Sequence, residues 1–224
     1  MNTNKIRMPI DIAMTIISVI LMGGAYLFPA DIVHEILGVA LFVLWAVHIT
    51  LNRRWYGAIF CGSYNTHRIL QTTINCGILV CVLFLMISGI ILSNHIFTFL
   101  GIESGLGFAR IAHLLASQWY FLFMSLHIGL HVEMIAGKMK VHHEGLSSII
   151  IRVIFIFLSS YGIYAFITRG IWRYLILQQQ FFFLDLECGY IQFALDYISI
   201  IILFATGIHY LNKILPKRKD KGSK

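Results

Sequence analysis

Apolar residues run along this chain in long unbroken stretches, not in the strict alternation of a half-buried strand or the three-to-four spacing of a surface helix. Six runs come close to the roughly 20 residues that a helix needs to cross a bilayer: 8–28, 32–51, 70–92, 111–136, 149–167 and 191–211. Polar residues collect in the connections between them. The pattern predicts an all-α integral membrane protein, a six-helix transmembrane bundle forming one domain over residues 1–216, with a basic tail at 217–224. The first run carries Pro9 and Asp11 near its start and lacks a small-residue cleavage site, so it reads as a retained helix, not a signal peptide. The connection 169–190 holds Trp172, Tyr174 and three consecutive phenylalanines from Phe181, which predicts a helix lying at the interface as a bilayer anchor.

Composition strengthens the membrane reading. Of the 224 residues, 58% are hydrophobic and 12% charged, which excludes a soluble domain. The net charge of +7 would suit nucleic acid only if the bases formed one continuous face, and they are instead scattered in short clusters between apolar runs. Their distribution speaks to topology. One alternate set of connections and termini holds fourteen Lys and Arg residues, among them Arg7, Arg53, Arg68, Lys138, Lys213 and Lys217, whereas the other holds Arg110, Arg169 and Arg173. Bases accumulate on the cytoplasmic side, so both termini are expected on the cytoplasmic side of the membrane. The cysteines, at 61, 76, 81 and 188, form no Cys-x-x-Cys pair and no Cys-x-x-Cys-His, so covalent haem attachment is not expected. Cys76 and Cys81 read as apolar fillers facing lipid or core. No phosphate loop or dinucleotide fingerprint is present.

Ten histidines are many for so apolar a chain, and ionisable groups inside a membrane are costly enough to point to function. His34 and His48 lie fourteen residues apart in the second run, and His113 and His127 fourteen apart in the fourth. On a helix that spacing separates two side chains by about 21 Å along the axis and returns them to nearly one face. The second and fourth spans run in the same direction, so His34 falls level with His113 and His48 with His127. Haem iron in an electron carrier takes two axial imidazoles. The expectation is therefore two b-type haems, an outer one on His34 and His113 and an inner one on His48 and His127. The competing reading is that these histidines only join helices by hydrogen bonds.

Other residues compete for or assist these roles. His131 lies one turn beyond His127, and His95 sits where the third span leaves the outer side; each is an alternate axial ligand, a ligand to a third haem, or a group that meets a quinone or a partner's cofactor. His209 is a weaker alternate, and His67, His142 and His143 read as solvated loop residues. Arg53, Arg54 and Arg110 fall at helix ends, where they would pair with haem propionates or snorkel to lipid phosphate. Gly38, Gly89 and Gly129 would either let a porphyrin approach the backbone or let two helices touch. Glu133 would carry protons or stay in cytoplasmic water.

The stretch 31–137 resembles the flavinylation-associated transmembrane cytochromes, a bacterial membrane family. The likeness rests on His-Glu-Ile-Leu-Gly at 34–38, His48, Leu-Asn-Arg-Arg-Trp-Tyr at 51–56, Arg68 to Gln71, Ser-Asn-His at 93–95, Phe-Ala-Arg-Ile-Ala-His at 108–113 and Ser-Leu-His-Ile-Gly-Leu-His at 125–131. It implies transfer of electrons across the cytoplasmic membrane to an extracytoplasmic protein bearing covalent flavin; the flavin belongs to that partner, since this chain has no attachment motif of its own. The resemblance includes His95 and His131 in its pattern. A more distant similarity, confined to paired histidines about fourteen apart, extends to ferric-reductase-type and quinol-oxidising b cytochromes. The alternatives to an electron-transfer subunit are thus a quinol dehydrogenase or ferric-reductase-like enzyme, and a non-redox transporter or scaffold. Prolines only at 9, 29 and 216 give the broken helices of a transporter little support.

Overall fold

The computed structural model describes residues 3–61, 64–138, 146–184, 186 and 189–215. Among these the chain is helical, without a β-strand: α1 (Thr3–Leu21), α2 (Ile32–Leu51), α3 (Arg53–Ala58), α4 (Thr66–Leu92), α5 (Leu106–Leu130), α6 (Val132–Lys138), α7 (Leu146–Thr168), α8 (Ile171–Leu175) and α9 (Gly189–Ile214). Backbone amides in lipid have no water to bond, so each must be satisfied within its own helix. Five helices are long and apolar enough to cross a membrane: α2, α4, α5, α7 and α9. The protein is a multi-pass α-helical membrane protein. The first of the six expected spans differs, because α1 ends at Leu21 and includes Lys5, Arg7 and Asp11, which leave it short of that standard. The fourth run is also divided: α5 stops at Leu130, His131 caps it with φ −103° and ψ 4°, and α6 continues. His142, His143, Cys188 and the tail 217–224 lie outside the described residues.

Contacts give the helix directions. Arg7 donates to the Leu51 carbonyl at 2.7 Å and His48 bonds Asp11, so α1 and α2 run antiparallel. Ser88 meets His113 and Asn75 meets His127, so α4 and α5 are antiparallel neighbours. Phe121 packs on Tyr197, and Gly129 lies against Ala205, which makes α5 and α9 parallel.

The bundle is tightest where α4 packs on α5 and where α5 and α7 pack on α9. Lipid tails are as apolar as leucine, so helices associate in a membrane through close van der Waals contact and small residues. The sequence supplies them where the axes cross: Gly129 against Ala205 and Ile208, Gly162 against the Ser199 carbonyl, and fully buried Ala165. Phe121, Tyr197 and Ile200 fill the centre, with buried Cys81 packed into the same core. Cys76 is exposed. Gly24 ends the turn after α1 at φ +69°, with the Phe182 ring 2.7 Å from where a Cβ would stand, so only glycine suits it. The segment after Thr168 packs partly on the bundle. Its helix, α8, is five residues long, buries Ile171 and Tyr174, and accepts a hydrogen bond from the Trp119 indole at the Leu175 carbonyl, 3.1 Å. Burial pushes the Tyr174 phenol above its ordinary pKa. Trp172, Phe181 and Phe183 remain exposed.

By contrast α2 has no fully buried residue, and only Leu41, Phe42 and Trp45 pack at the edge of the core. It carries two of the four key histidines.

Because the Ser199 carbonyl occupies the space beside Gly162, Gly162→Leu should destabilise the α7–α9 crossing by about 1–3 kcal/mol. The expected readout is a lower thermal midpoint in detergent; a midpoint equal to wild type would mean the two helices do not cross there.

Candidate functional site

The structure brings the four histidines of the fourteen-residue pattern together as two pairs. The His34 and His113 ring centroids are 6.3 Å apart, and those of His48 and His127 are 6.4 Å apart. The near-identical separations follow from two parallel helices sharing one spacing.

The hydrogen bonds around these rings decide which nitrogen is protonated. His48 donates from Nδ1 to Asp11 Oδ1 at 2.7 Å, and His127 from Nδ1 to the Asn75 side-chain oxygen at 2.8 Å. Ser88 Oγ lies 2.9 Å from His113 Nδ1. The one hydroxyl proton of Ser88 is given to the Phe84 carbonyl, 2.5 Å away, so Oγ accepts from His113. In these three rings Nδ1 carries the hydrogen and Nε2 keeps its lone pair. For the fourth, the Gly24 carbonyl is within hydrogen-bonding reach of His34. A metal-ligating histidine characteristically gives its other ring N–H to such a partner, which fixes tautomer and orientation.

The separation tests the fit of a metal. Two imidazoles on opposite sides of one ion, each with a metal–nitrogen bond of about 2 Å, have centroids roughly 6 Å apart. The centroid separations of both pairs match that value. Among the described residues no three His, Cys, Asp or Glu side chains converge as a cage for a bare ion. A ligand set of two imidazoles suits a group that brings its remaining four donors itself, as a porphyrin does. The glycines divide between the two roles open to them. Gly129 is a helix contact, since a Cβ there would collide with Ala205. A Cβ on Gly38, one turn from His34, meets nothing within 4 Å, and one on Gly89 would touch only His113 Cε1, at 3.7 Å.

The remaining candidates are placed elsewhere. His95 lies on the outer connection with Nε2 at 2.8 Å from Asp31 Oδ1, and Glu35 ties down that connection by accepting from Ser93 and from the amides of Asn94 and Ile96. His131 is beside His127, with centroids 4.7 Å apart, edge to face. Arg53, Arg54 and Arg110 are exposed at helix ends. Glu133 is exposed with Lys213 Nζ at 3.7 Å. His209 packs its ring against Tyr210, 5.5 Å between centroids. His67 is not a solvated loop residue: it stands in the first turn of α4, its Nδ1 is 2.5 Å from the Asn212 side-chain oxygen of α9, and its Nε2 is shut off from solvent without a hydrogen-bond partner.

Compared with protein-family models, with curated proteins and with solved structures, the chain matches none.

Two groups of residues were not singled out from the sequence. Asp11 is one, since only the pairing of α1 with α2 brings it to His48. The other is a polar cluster between α7 and α9, where Asp196, with its side chain 7% exposed, pairs with Arg169 at 2.8 Å and accepts from Tyr161 and from Gln192. A carboxylate inside an apolar run is a sequence signal, and the base that answers it lies on another helix's end.

Removing one member of that pair leaves the other charge buried. Arg169→Met should therefore cost about 3–5 kcal/mol, whereas Arg169→Met combined with Asp196→Leu should recover most of the loss. Thermal denaturation of both variants in detergent checks this, and a double variant no better than the single one would overturn it.

Proposed function

We propose that this chain is a transmembrane di-haem b-type cytochrome of a bacterial cytoplasmic membrane, with six spans and both termini inside, that carries electrons outward to an extracytoplasmic flavin-bearing redox protein. The observation that carries this reading is the two level imidazole pairs, at 6.3 and 6.4 Å, with Nδ1 of three rings bound to protein. Haem held by His34 with His113 and by His48 with His127 would supply a reversible one-electron iron couple at each level.

The protein's own contribution is orientation and electrostatics. Ser88, Asn75 and Asp11 hold their histidines in one tautomer, and Gly38 and Gly89 put no side chain of their own beside the outer pair. Arg53 and Arg110, exposed near the two levels, suit carboxylates at the rim of such a group. The bases gathered at the Arg53, Arg68 and Lys213 end support a cytoplasmic assignment for it. The flavin-bearing partner is supported by the motifs from His34 to His131 that resemble the flavinylation-associated cytochromes.

The two levels are unequally furnished. At the basic end His48 has a carboxylate partner; at the other end the partners are a hydroxyl and a backbone carbonyl. A carboxylate makes its imidazole a more basic ligand, which favours the oxidised metal and lowers the potential there. Asp11 thus biases electrons to leave the basic end for the opposite one.

Purified from a haem-replete host, the protein should show a b-type spectrum with two haems per chain. Alanine at His34 or His113 should remove one haem, alanine at His48 or His127 the other, and alanine at His95 neither. A colourless wild-type protein would sink the proposal. In a redox titration Asp11→Asn should raise the lower of two midpoints by about 60 mV, the equivalent of a tenfold change for a one-electron couple, and leave the higher one in place. Movement of both midpoints together, or of neither, would remove Asp11 from this role.

A further inference from the structure

A cavity of about 360 Å³ opens at the basic end where α3 meets the first turns of α4, with Trp55, Ile59, His67, Arg68, Gln71 and Thr72 in its wall. Its chemistry favours a neutral occupant over an anion. The Arg68 guanidinium is already engaged: it donates to the Ala58 carbonyl at the end of α3 and lies 4.4 Å above the Tyr64 ring. The uncommitted groups are neutral. Gln71 and Thr72, both half-buried, make no side-chain hydrogen bond within the described residues, and Trp55 adds a flat aromatic wall. His67 gives its Nδ1 hydrogen to Asn212, so its Nε2 holds a lone pair that nothing in the protein uses. A planar ring with two oxygens, soluble in the adjoining lipid, complements such a wall.

The cavity is also close to the redox pair. Gln71 and Thr72 lie four and three residues before Asn75 on α4, about one turn or 6 Å along the axis, and Asn75 holds His127.

We propose that this cavity binds the head of a lipid-soluble hydroquinone, with Gln71 and Thr72 at its oxygens, and that this is the electron donor; the donor role rests on the di-haem reading. In the step, the two O–H bonds of the hydroquinone break and its ring becomes the quinone. The two protons pass to water that enters the open cavity at the basic side, and the two electrons would reduce two ferric haem irons to ferrous.

The test uses the full-length protein in detergent and a hydroxyquinoline N-oxide as the hydroquinone mimic, with binding read by calorimetry so that haem is not needed for the signal. Wild type should bind one mimic per chain, and Gln71→Leu with Thr72→Val should weaken binding at least tenfold while haem content stays unchanged. Cys61, an exposed thiol on the cavity wall, supplies a second readout without any substitution. Its alkylation by a maleimide should slow when the mimic is present, while that of Cys76, exposed on α4 outside the cavity wall, should not. Absence of binding, equal binding by the double variant, or unprotected Cys61 would overturn the site. Haem stoichiometry on the same preparation reads the di-haem proposal separately, since a haem-free protein that still binds the mimic fails that proposal alone.

Discussion

An imidazole placed in lipid has two ring nitrogens to satisfy and no water to do it, and the arrangement of this protein's first half follows from that constraint. Asp11 on α1 answers Nδ1 of His48, Asn75 and Ser88 on α4 answer those of His127 and His113, and the turn at Gly24 approaches His34. Each partner comes from outside the helix bearing its histidine. The pairs therefore lock α1 to α2 and α4 to α5, and at the same time leave the Nε2 of His48, His113 and His127 as the nitrogen with a lone pair. Structural satisfaction and readiness to ligate are one feature here.

The two parts of the bundle are built by different means. Around α5, α7 and α9 the backbones approach over Gly129, Gly162 and Ala165, and the buried Arg169–Asp196 pair is set into that contact. No residue of α2 is fully buried, although the helix is as apolar as its neighbours; Leu41, Phe42 and Trp45 pack at the edge of the core, and polar contacts from His48 and Glu35 fix its two ends. The rigid part carries His113 and His127 on α5, so the geometry of both pairs is anchored on the well-packed side.

What was legible in the sequence is what depends on period and length. Five apolar runs emerged as long apolar helices, and the fourteen-residue spacing in two of them was enough to foresee which histidines would meet, because helical rise and parallel direction fix level. The division of the fourth run at His131 was not legible, since Gly129 to Glu133 contains no proline and the break is one cap residue. Nor was the first run's end at Leu21, since apolar residues continue to Phe28 while the backbone turns at Gly24. The partners were hidden for a different reason. Asp11 to His48, His67 to Asn212 and Arg169 to Asp196 each join separate helices, and a single sequence carries no record of which helices are neighbours. Gly129 illustrates the limit: its position between two histidines suited a cofactor as well as a helix, and only the presence of Ala205 against it decides for the helix.

The direction proposed for electrons gains from a field that the protein does not make. With the basic end in the cytoplasm, an electron that leaves the Asp11 and His48 level for the His34 and His113 level moves away from the negative side of an energised membrane. A full crossing is favoured by about 2.3 kcal/mol per 100 mV, and these two levels, about 21 Å apart, take in much of the about 30 Å hydrocarbon core. The carboxylate beside His48 acts in the same sense by making the inner level the weaker holder of electrons. Reversing the flow would require overcoming both. A transfer of this kind needs no moving part, which agrees with a site whose orienting contacts are short hydrogen bonds between helices and with spans that no proline interrupts between Pro29 and Pro216. On the proposed function, charge placement, not conformational change, is what gives two similar histidine pairs a direction.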